Sequence, residues 1–168
     1  ADYRVQRWAN GRGETVEIAR ADGPDGLLWR LSIAQVVEDG PFSRFPGIAR
    51  SLTVIEGPGF AIRGPGIDLR ADPLVPVSFP GDAEVAAAGV AGISRDFNVM
   101  TSASLPVPLV RVGCGALPRG RVCAVHALGP CALAAGPGLD PGDTLLSDEA
   151  VCVRSGQALI VVLEGVRG

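Results

Sequence analysis

The stretch WRLSIAQVVEDGPFSRFPGIAR, residues 29–50, decides the fold of this chain. Its first six residues alternate with period two, which predicts a strand with one fully apolar side. The opposite side carries Arg30 and Ser32. Burying a guanidinium without an acceptor costs on the order of several kcal/mol. Either Arg30 faces bulk water or an anionic group meets it, and this choice is the main functional question that the sequence poses.

A second strand is predicted just before this stretch, in TVEIAR at residues 15–20, with Glu17 on its polar side. The turn residues DGPDG at 22–26 separate the two strands, so they are expected to pair as a hairpin or to lie nearby in one sheet. Glu17 and Arg30 would then form a cross-strand pair. Periodicity favours an exposed pair worth about 0–1 kcal/mol over a polar cluster inside a barrel mouth.

Two later segments complete the polar pattern. The segment EDGPFSRFPG at 38–47 has too many turn residues for a regular element, and it predicts a loop whose Phe42 and Phe45 either cover a core as a lid or anchor the loop. In SRDFNVM at 94–100, polar and apolar residues interleave. An extended backbone would place Asp96 and Asn98 on one side.

Short apolar segments separated by Gly-Pro, Pro-Gly and Asp-Gly pairs predict an all-β fold with little helix. The segment FAIRGPGIDL at 60–69 weakly resembles CALAAGPGLD at 131–140, which fits two copies of a small antiparallel barrel. We therefore expect residues 1–168 to form a single compact domain of two sub-barrels, with their boundary at roughly residues 95–110.

Composition excludes several classes of function. The net charge is −3, and no basic cluster occurs, so nucleic-acid binding is not expected. No apolar run reaches the roughly 18 residues of a membrane-spanning helix, and no signal peptide is visible, which predicts no membrane association and a cytoplasmic location. His126 is the single histidine, too few for a multi-histidine metal site, and it is expected to be a core or half-exposed residue.

The cysteines at 114, 123, 131 and 152 form no CxxC pair, so they predict reduced, buried thiols and no zinc site. Signatures of nucleophilic hydrolases, P-loops and dinucleotide binding are absent, and no cofactor is expected. A thiol catalyst formed by Cys123 or Cys131 with His126 is disfavoured. General acid–base catalysis by Glu17 or Asp96 stays open, because it requires no sequence signature.

Several of these segments together resemble the HutD/Ves family of bacterial proteins. They are ADYRVQRWANGRGETVEIAR at 1–20, the stretch at 29–50, FPGD at 79–82 and RDFNVM at 95–100, in the family's order over roughly residues 1–100. Two features depart from the family pattern. Arg12 stands where the family usually has glycine, and Thr101-Ser102 replace a frequent arginine pair.

The resemblance implies a bicupin-type fold, in which two small β-barrels pack together and both lack the cupin metal histidines. It also implies a link to the histidine-degradation operon, which HutD-like proteins are thought to limit by binding an intermediate such as urocanate or formylglutamate. No enzymatic activity is established for the family. The family's motif positions are Asn10, Thr15, Glu17, Arg30, Ser32, Asp96 and Asn98.

Three functions follow as hypotheses. The first is a non-enzymatic protein that binds a small carboxylate metabolite through the motif positions, because arginine pairs with a carboxylate bidentately. The second is a metal-free isomerase or hydrolase that uses Glu17 or Asp96 as base. The third is a structural or interaction module with the Phe42–Phe45 loop as its contact surface, and a homodimer is left open.

Overall fold

The computed structural model describes residues 4–7, 14–119 and 121–164, and for residues 4–7 it describes the backbone alone. These residues form fifteen strands and no helix, so the all-β prediction is confirmed. In chain order, the strands β1 to β15 are Arg4–Arg7, Glu14–Gly23, Gly26–Val36, Gly40–Pro41, Ile48–Glu56, Phe60–Gly64, Ile67–Ala71, Val77–Pro80, Ala86–Ala88, Ser94–Ser102, Leu109–Leu117, Val122–Ala127, Ala132–Leu133, Thr144–Ser147 and Val151–Leu163.

The chain divides into two compact units, Ala1–Ser104 and Leu105–Gly168. The first unit contains a six-stranded sheet in the order β1-β2-β3-β10-β5-β8 and a four-stranded sheet in the order β4-β9-β6-β7. The second contains a sheet in the order β11-β15-β12-β14, with β13 also paired to β15. Each sheet is antiparallel and open along these paths. The prediction of one compact domain stays a prediction.

Strands β2 and β3 pair directly as a hairpin, one of the two arrangements expected from the sequence. The turn itself is shorter than the predicted 22–26, because Gly23 already pairs with Gly26. Gly26 has a φ of 115°, a conformation that favours glycine. The register is irregular at Glu17/Ala19 and at Ala21/Asp22, and Glu17 lies opposite Ser32.

The core of the first unit joins the six-stranded sheet to the four-stranded one. Leu52 and Val54 of β5 belong to one buried cluster with Phe60 and Ile62 of β6, and all four are fully buried. Full burial of each such side chain contributes roughly 1.5–3 kcal/mol. The second unit has its own cluster, which includes Val125 of β12 and alternate residues of β15.

Both faces of strand β3 are buried. Trp29, Leu31 and Ile33 are at most 8% exposed, as the apolar pattern predicts. On the opposite face, Ser32 is 1% exposed, and residues across the sheet on that face include Leu52. The polar face of the predicted strand is therefore an inner face of the first unit.

Among residues 4–7, 14–119 and 121–164, no helix is long and apolar enough to cross a membrane.

Candidate functional site

The site begins on β10, the strand between β3 and β5. Asp96 and Asn98 lie two residues apart on this strand, so their side chains share one face, as predicted. Asn98 is opposite Ser32 on one side and Leu52 on the other. Because directly opposed residues in a sheet present side chains on the same face, the polar groups of β10 point toward the apolar core of the first unit.

Asp96 is a buried carboxyl group with one engaged oxygen. The amide Nδ2 of Asn98 donates to Asp96 Oδ2 at 2.5 Å, whereas Asp96 Oδ1 has no hydrogen-bond partner. Burial raises the pKa of Asp96 to about 7, although the Asn98 hydrogen bond and the charge of Arg50 oppose this shift. The group therefore exchanges its proton near neutral pH.

Arg50, on β5, is the buried cation of the site. Only 6% exposed, it donates from Nη2 to Asn98 Oδ1 at 3.0 Å and from Nη1 to the Ser43 carbonyl at 3.5 Å. Its Nε has no acceptor. The ion pairs found among the described residues do not include it. Burial lowers the pKa of Arg50 to about 10, so the guanidinium stays charged at neutral pH.

Three aromatic rings surround the Arg50 guanidinium. Its central carbon lies 4.9 Å from the ring centroid of Phe79, 5.2 Å from Phe42 and 5.7 Å from Phe45. The negative faces of such rings attract a cation, by about 2 kcal/mol or more where water is excluded. The rings compensate part of the desolvation of Arg50, but they supply no acceptor for Nε.

Backbone hydrogen bonds hold the loop that carries two of these rings. Phe42 N donates to Val85 O at 2.9 Å, and Phe45 N donates to Gly81 O at 2.7 Å. Gly81 N donates in turn to Ile48 O at 2.7 Å. The loop is thus tied at Phe42 and at Phe45 to the segment between β8 and β9. Of the two predicted roles, these contacts favour an anchored loop over a lid.

Gly81→Ala is expected to destabilise this loop. An added Cβ would lie 2.6 Å from Ile48 O and 2.7 Å from Phe45 O, and both are backbone atoms that cannot rotate away. Overpacking of this kind costs about 1–3 kcal/mol. Urea denaturation measures the loss, with Gly40→Ala as the control, because no atom lies within 4 Å of a Cβ there. Equal stabilities of the two variants would contradict this account of the loop.

Arg30 meets an anionic group supplied by the protein itself. Its Nε donates to Glu17 Oε2 at 2.7 Å, and the two side chains are 14% and 16% exposed. The cross-strand pair was predicted, but its interpretation as an exposed pair is wrong, since the inner face of the sheet shields both partners. Within the described part of the chain, Arg30 is therefore paired with a carboxylate, whereas Arg50 is not.

The structure brings most of the predicted site residues to one sheet. Glu17 and Ser32 are directly opposite each other, and Thr15 is opposite Ala34, which in turn is opposite Asp96. Asn10 and the unusual Arg12 lie outside the described residues. The residues gathered on the inner face are therefore Thr15, Glu17, Arg30, Ser32, Asp96 and Asn98.

Sequence reasoning missed Arg50, although it ends the stretch quoted at the outset. The sequence did contain a signal, because two phenylalanines precede this arginine within eight residues and aromatic rings attract a cation. Nothing local, however, places it beside Asn98, which is 48 residues further along the chain. The pairing of β5 with β10 makes that contact.

The second unit contains the histidine and the cysteines. His126 is 3% exposed, and its Nδ1 lies 2.9 Å from Thr144 Oγ1, as expected for a core histidine. All four thiols are free, but Cys114 is exposed and Cys152 half-buried, so the prediction of buried thiols holds for Cys123 and Cys131 only. Burial raises the pKa of these two thiols, which disfavours a thiol catalyst.

Within the described ranges, no three side chains of His, Cys, Asp or Glu are grouped as a metal ion would require.

Comparison with known proteins identifies the family. The HutD family model matches residues 1–112. A structure of HutD from Pseudomonas fluorescens SBW25, in a formate condition, is 30% identical and covers 96% of this chain and 93% of its own, with a TM-score of 0.84. The chain belongs to the HutD family. The predicted resemblance is thereby confirmed.

Two further relatives of this HutD-family protein are informative. A conserved protein of unknown function from Pseudomonas aeruginosa PAO1, PA5104, is 29% identical, with a TM-score of 0.79, and covers 96% of this chain and 93% of its own. An uncharacterised Pseudomonas putida protein from the hutC 3′ region is 41% identical over 104 residues. That match covers 59% of this chain and 54% of the relative, about half its length. The family is thus linked to a histidine-utilisation locus.

Proposed function

We propose that this protein binds a small carboxylate metabolite without altering it and thereby regulates histidine utilisation. The observation that carries the proposal is the Arg50 guanidinium, which is buried and charged but has no carboxylate partner among the described residues. The link of the family to the hut locus supplies the biological context. The anchor proposed here is Arg50, because Glu17 already neutralises Arg30.

A carboxylate fits the open bonding capacity of Arg50. Charge-assisted hydrogen bonds from a guanidinium to a carboxylate are about twice as strong as neutral ones. A bidentate carboxylate would accept from Nε and from a second N–H of the guanidinium, because only two of its five N–H groups donate to acceptors among the described residues. The three phenylalanine rings would exclude water from the pair. The neighbouring hydroxyl and amide groups of Ser32 and Asn98 would orient the ligand.

A metal-free enzyme is the second candidate. A buried carboxyl group with a pKa of about 7 is suited to accept and return a proton near neutral pH, and this observation favours Asp96 as the base. Glu17 is a poorer candidate, since its Oε2 accepts the Arg30 hydrogen bond. The third candidate, a structural or interaction module with the Phe42–Phe45 loop as its contact surface, would leave Arg50 Nε and Asp96 Oδ1 without hydrogen-bond partners.

Titration calorimetry with formate, acetate, urocanate and formylglutamate tests the first candidate, with the corresponding primary amides as controls. We expect a carboxylate to bind and its amide not to bind, because only the carboxylate neutralises Arg50. Proton NMR of the same mixtures should show unchanged ligands. Turnover that disappears in Asp96→Asn would establish the enzyme instead, and no binding of any carboxylate would leave the structural or interaction module.

The regulatory part requires a separate measurement. During growth on histidine, cells that lack this gene are expected to transcribe the histidine-degradation genes more strongly than wild-type cells. The wild-type gene should restore the lower level, whereas a gene that encodes an Arg50→Met variant should not. A cytoplasmic location belongs to this proposal, since a regulator of catabolism would meet the pathway's intermediates there. The bicupin-type fold that the family resemblance implies belongs to it as well.

A further inference from the structure

Four buried polar atoms among the described residues of the first unit have no hydrogen-bond partner, and two of them belong to side chains that Asn98 connects. One is Arg50 Nε, a cationic donor, and the other is Asp96 Oδ1. Asn98 connects the two side chains, since it donates to Asp96 Oδ2 and accepts from Arg50 Nη2. An anionic ligand at Arg50 would therefore interact electrostatically with Asp96, as the Arg50 guanidinium itself does.

The charge balance of this face depends on the protonation state of Asp96. The charged groups that face it are Glu17 on β2, Arg30 on β3 and Arg50 on β5. The four-stranded sheet contributes the apolar side chains of Phe60 and Ile62. The two cations and Glu17 sum to a charge of +1 when Asp96 is neutral, and this charge becomes zero when Asp96 is ionised.

A bound carboxylate changes that balance by −1. With a neutral Asp96, the occupied face has no net charge. With an ionised Asp96, two carboxylates would share one buried cation, and like charges at low dielectric strongly disfavour this state. Both carboxylates would also be acceptors only, so Asp96 Oδ1 would gain no hydrogen bond from the ligand.

On the basis of the proposed carboxylate binding, we propose that a carboxylate binds at Arg50 together with one proton, which is taken up by Asp96. The charges balance, because one anion and one proton enter the site together and its net charge stays the same. The pKa of about 7 in the free protein supports this coupling, because above that pH the proton must be taken from solvent. Asp96 would thereby make the affinity for a carboxylate higher below its pKa than above it.

Calorimetry with acetate as the probe tests the coupling. Titrations at about pH 8, in buffers of different ionisation enthalpy, should show an uptake approaching one proton per bound acetate. The affinity should fall by about tenfold for each pH unit above the pKa of Asp96, and it should be constant between about pH 6 and the start of that fall. The Asp96→Asn variant should bind acetate with a constant affinity and no proton uptake.

The outcomes distinguish this inference from the proposed function. Acetate binding to the wild-type protein without proton uptake at about pH 8 overturns the coupling but leaves carboxylate binding intact. No acetate binding to wild type or variant between about pH 6 and 8.5 overturns both. If Asp96→Asn does not fold, carbon-13 NMR of the Asp96 carboxyl group in the wild-type protein decides. Its pKa must rise when acetate is bound, and an unchanged pKa contradicts the coupling.

Discussion

Replacing Arg50 with methionine is expected to abolish carboxylate binding and to leave the protein folded. The guanidinium would provide the charge-assisted hydrogen bonds to the ligand, each worth about 1.5–3 kcal/mol. Losing two of them weakens binding by at least about a hundredfold. Titration calorimetry with the best carboxylate ligand measures the loss. Arg50→Lys keeps the charge but not the planar fork, and it should bind with intermediate affinity.

The stability of Arg50→Met separates a binding role from a structural one. Methionine has a similar volume and is apolar, and the space around Arg50 is lined by three phenylalanine rings. Arg50 forms none of the ion pairs found among the described residues, so its replacement leaves no directly paired carboxylate without its cation, which is the strongly destabilising case. We therefore expect a free energy of unfolding within about 2 kcal/mol of wild type. Loss of folding would instead assign Arg50 to a structural network.

A control arginine is available on the surface of the same unit. Arg63 on β6 has a side chain that is 66% exposed and forms an ion pair with Asp68 at 3.4 Å. Arg63→Met removes the same charge from the protein but not from the site. It should leave carboxylate binding unchanged, and a comparable loss would show that net charge, and not the buried guanidinium, determines affinity.

Replacing Asp96 with asparagine is expected to stabilise the protein at neutral and alkaline pH but not in acid. The folded-state pKa of about 7 lies above the ordinary value of 3.8, so the folded protein retains a proton that the unfolded chain releases. The stability of the wild-type protein therefore falls as the pH rises from about 4 to about 7. Asparagine has no such proton, and its Oδ1 atom is still able to accept from Asn98.

The size of the expected gain follows from the raised pKa of Asp96. When the folded and unfolded pKa values of a group differ by one, the free energy of unfolding changes by about 1.4 kcal/mol, so Asp96→Asn should gain up to roughly 4 kcal/mol over wild type by about pH 8. Urea denaturation from about pH 4 to pH 8.5 measures the difference. Asp68→Asn controls for the loss of one negative charge, because the Asp68 side chain is 80% exposed. A difference between Asp96→Asn and wild type that does not vary with pH would contradict this account.

Alternation along the chain predicted which side chains share a face. Residues 29–34 divide into an apolar and a polar side as expected, and Asp96 and Asn98 do project together from β10. This success has a local cause, since the period of two is a property of the extended backbone itself. The same pattern also predicted the Glu17–Arg30 pair, because a hairpin brings residues of two neighbouring strands together.

The environment of each face was not predictable in this way. The Glu17–Arg30 pair was expected to be exposed, and it lies on an inner face. Because both sides of β3 are buried, polar residues on one side do not signal solvent. Arg50 was not recognised, because its contact with Asn98 depends on a strand pairing with residues far away in the chain.

The sequence by itself thus determined the all-β fold, the family and the set of polar residues on the inner strands. Short-range rules suffice for these properties, since alternation, turn residues and distinctive motifs are all local. Only the tertiary structure decided which buried cation of the described residues has no directly paired carboxylate. Long-range pairing of β5 and β10 brings Arg50 and Asp96 to either side of Asn98, and exclusion of water there controls both of their pKa values.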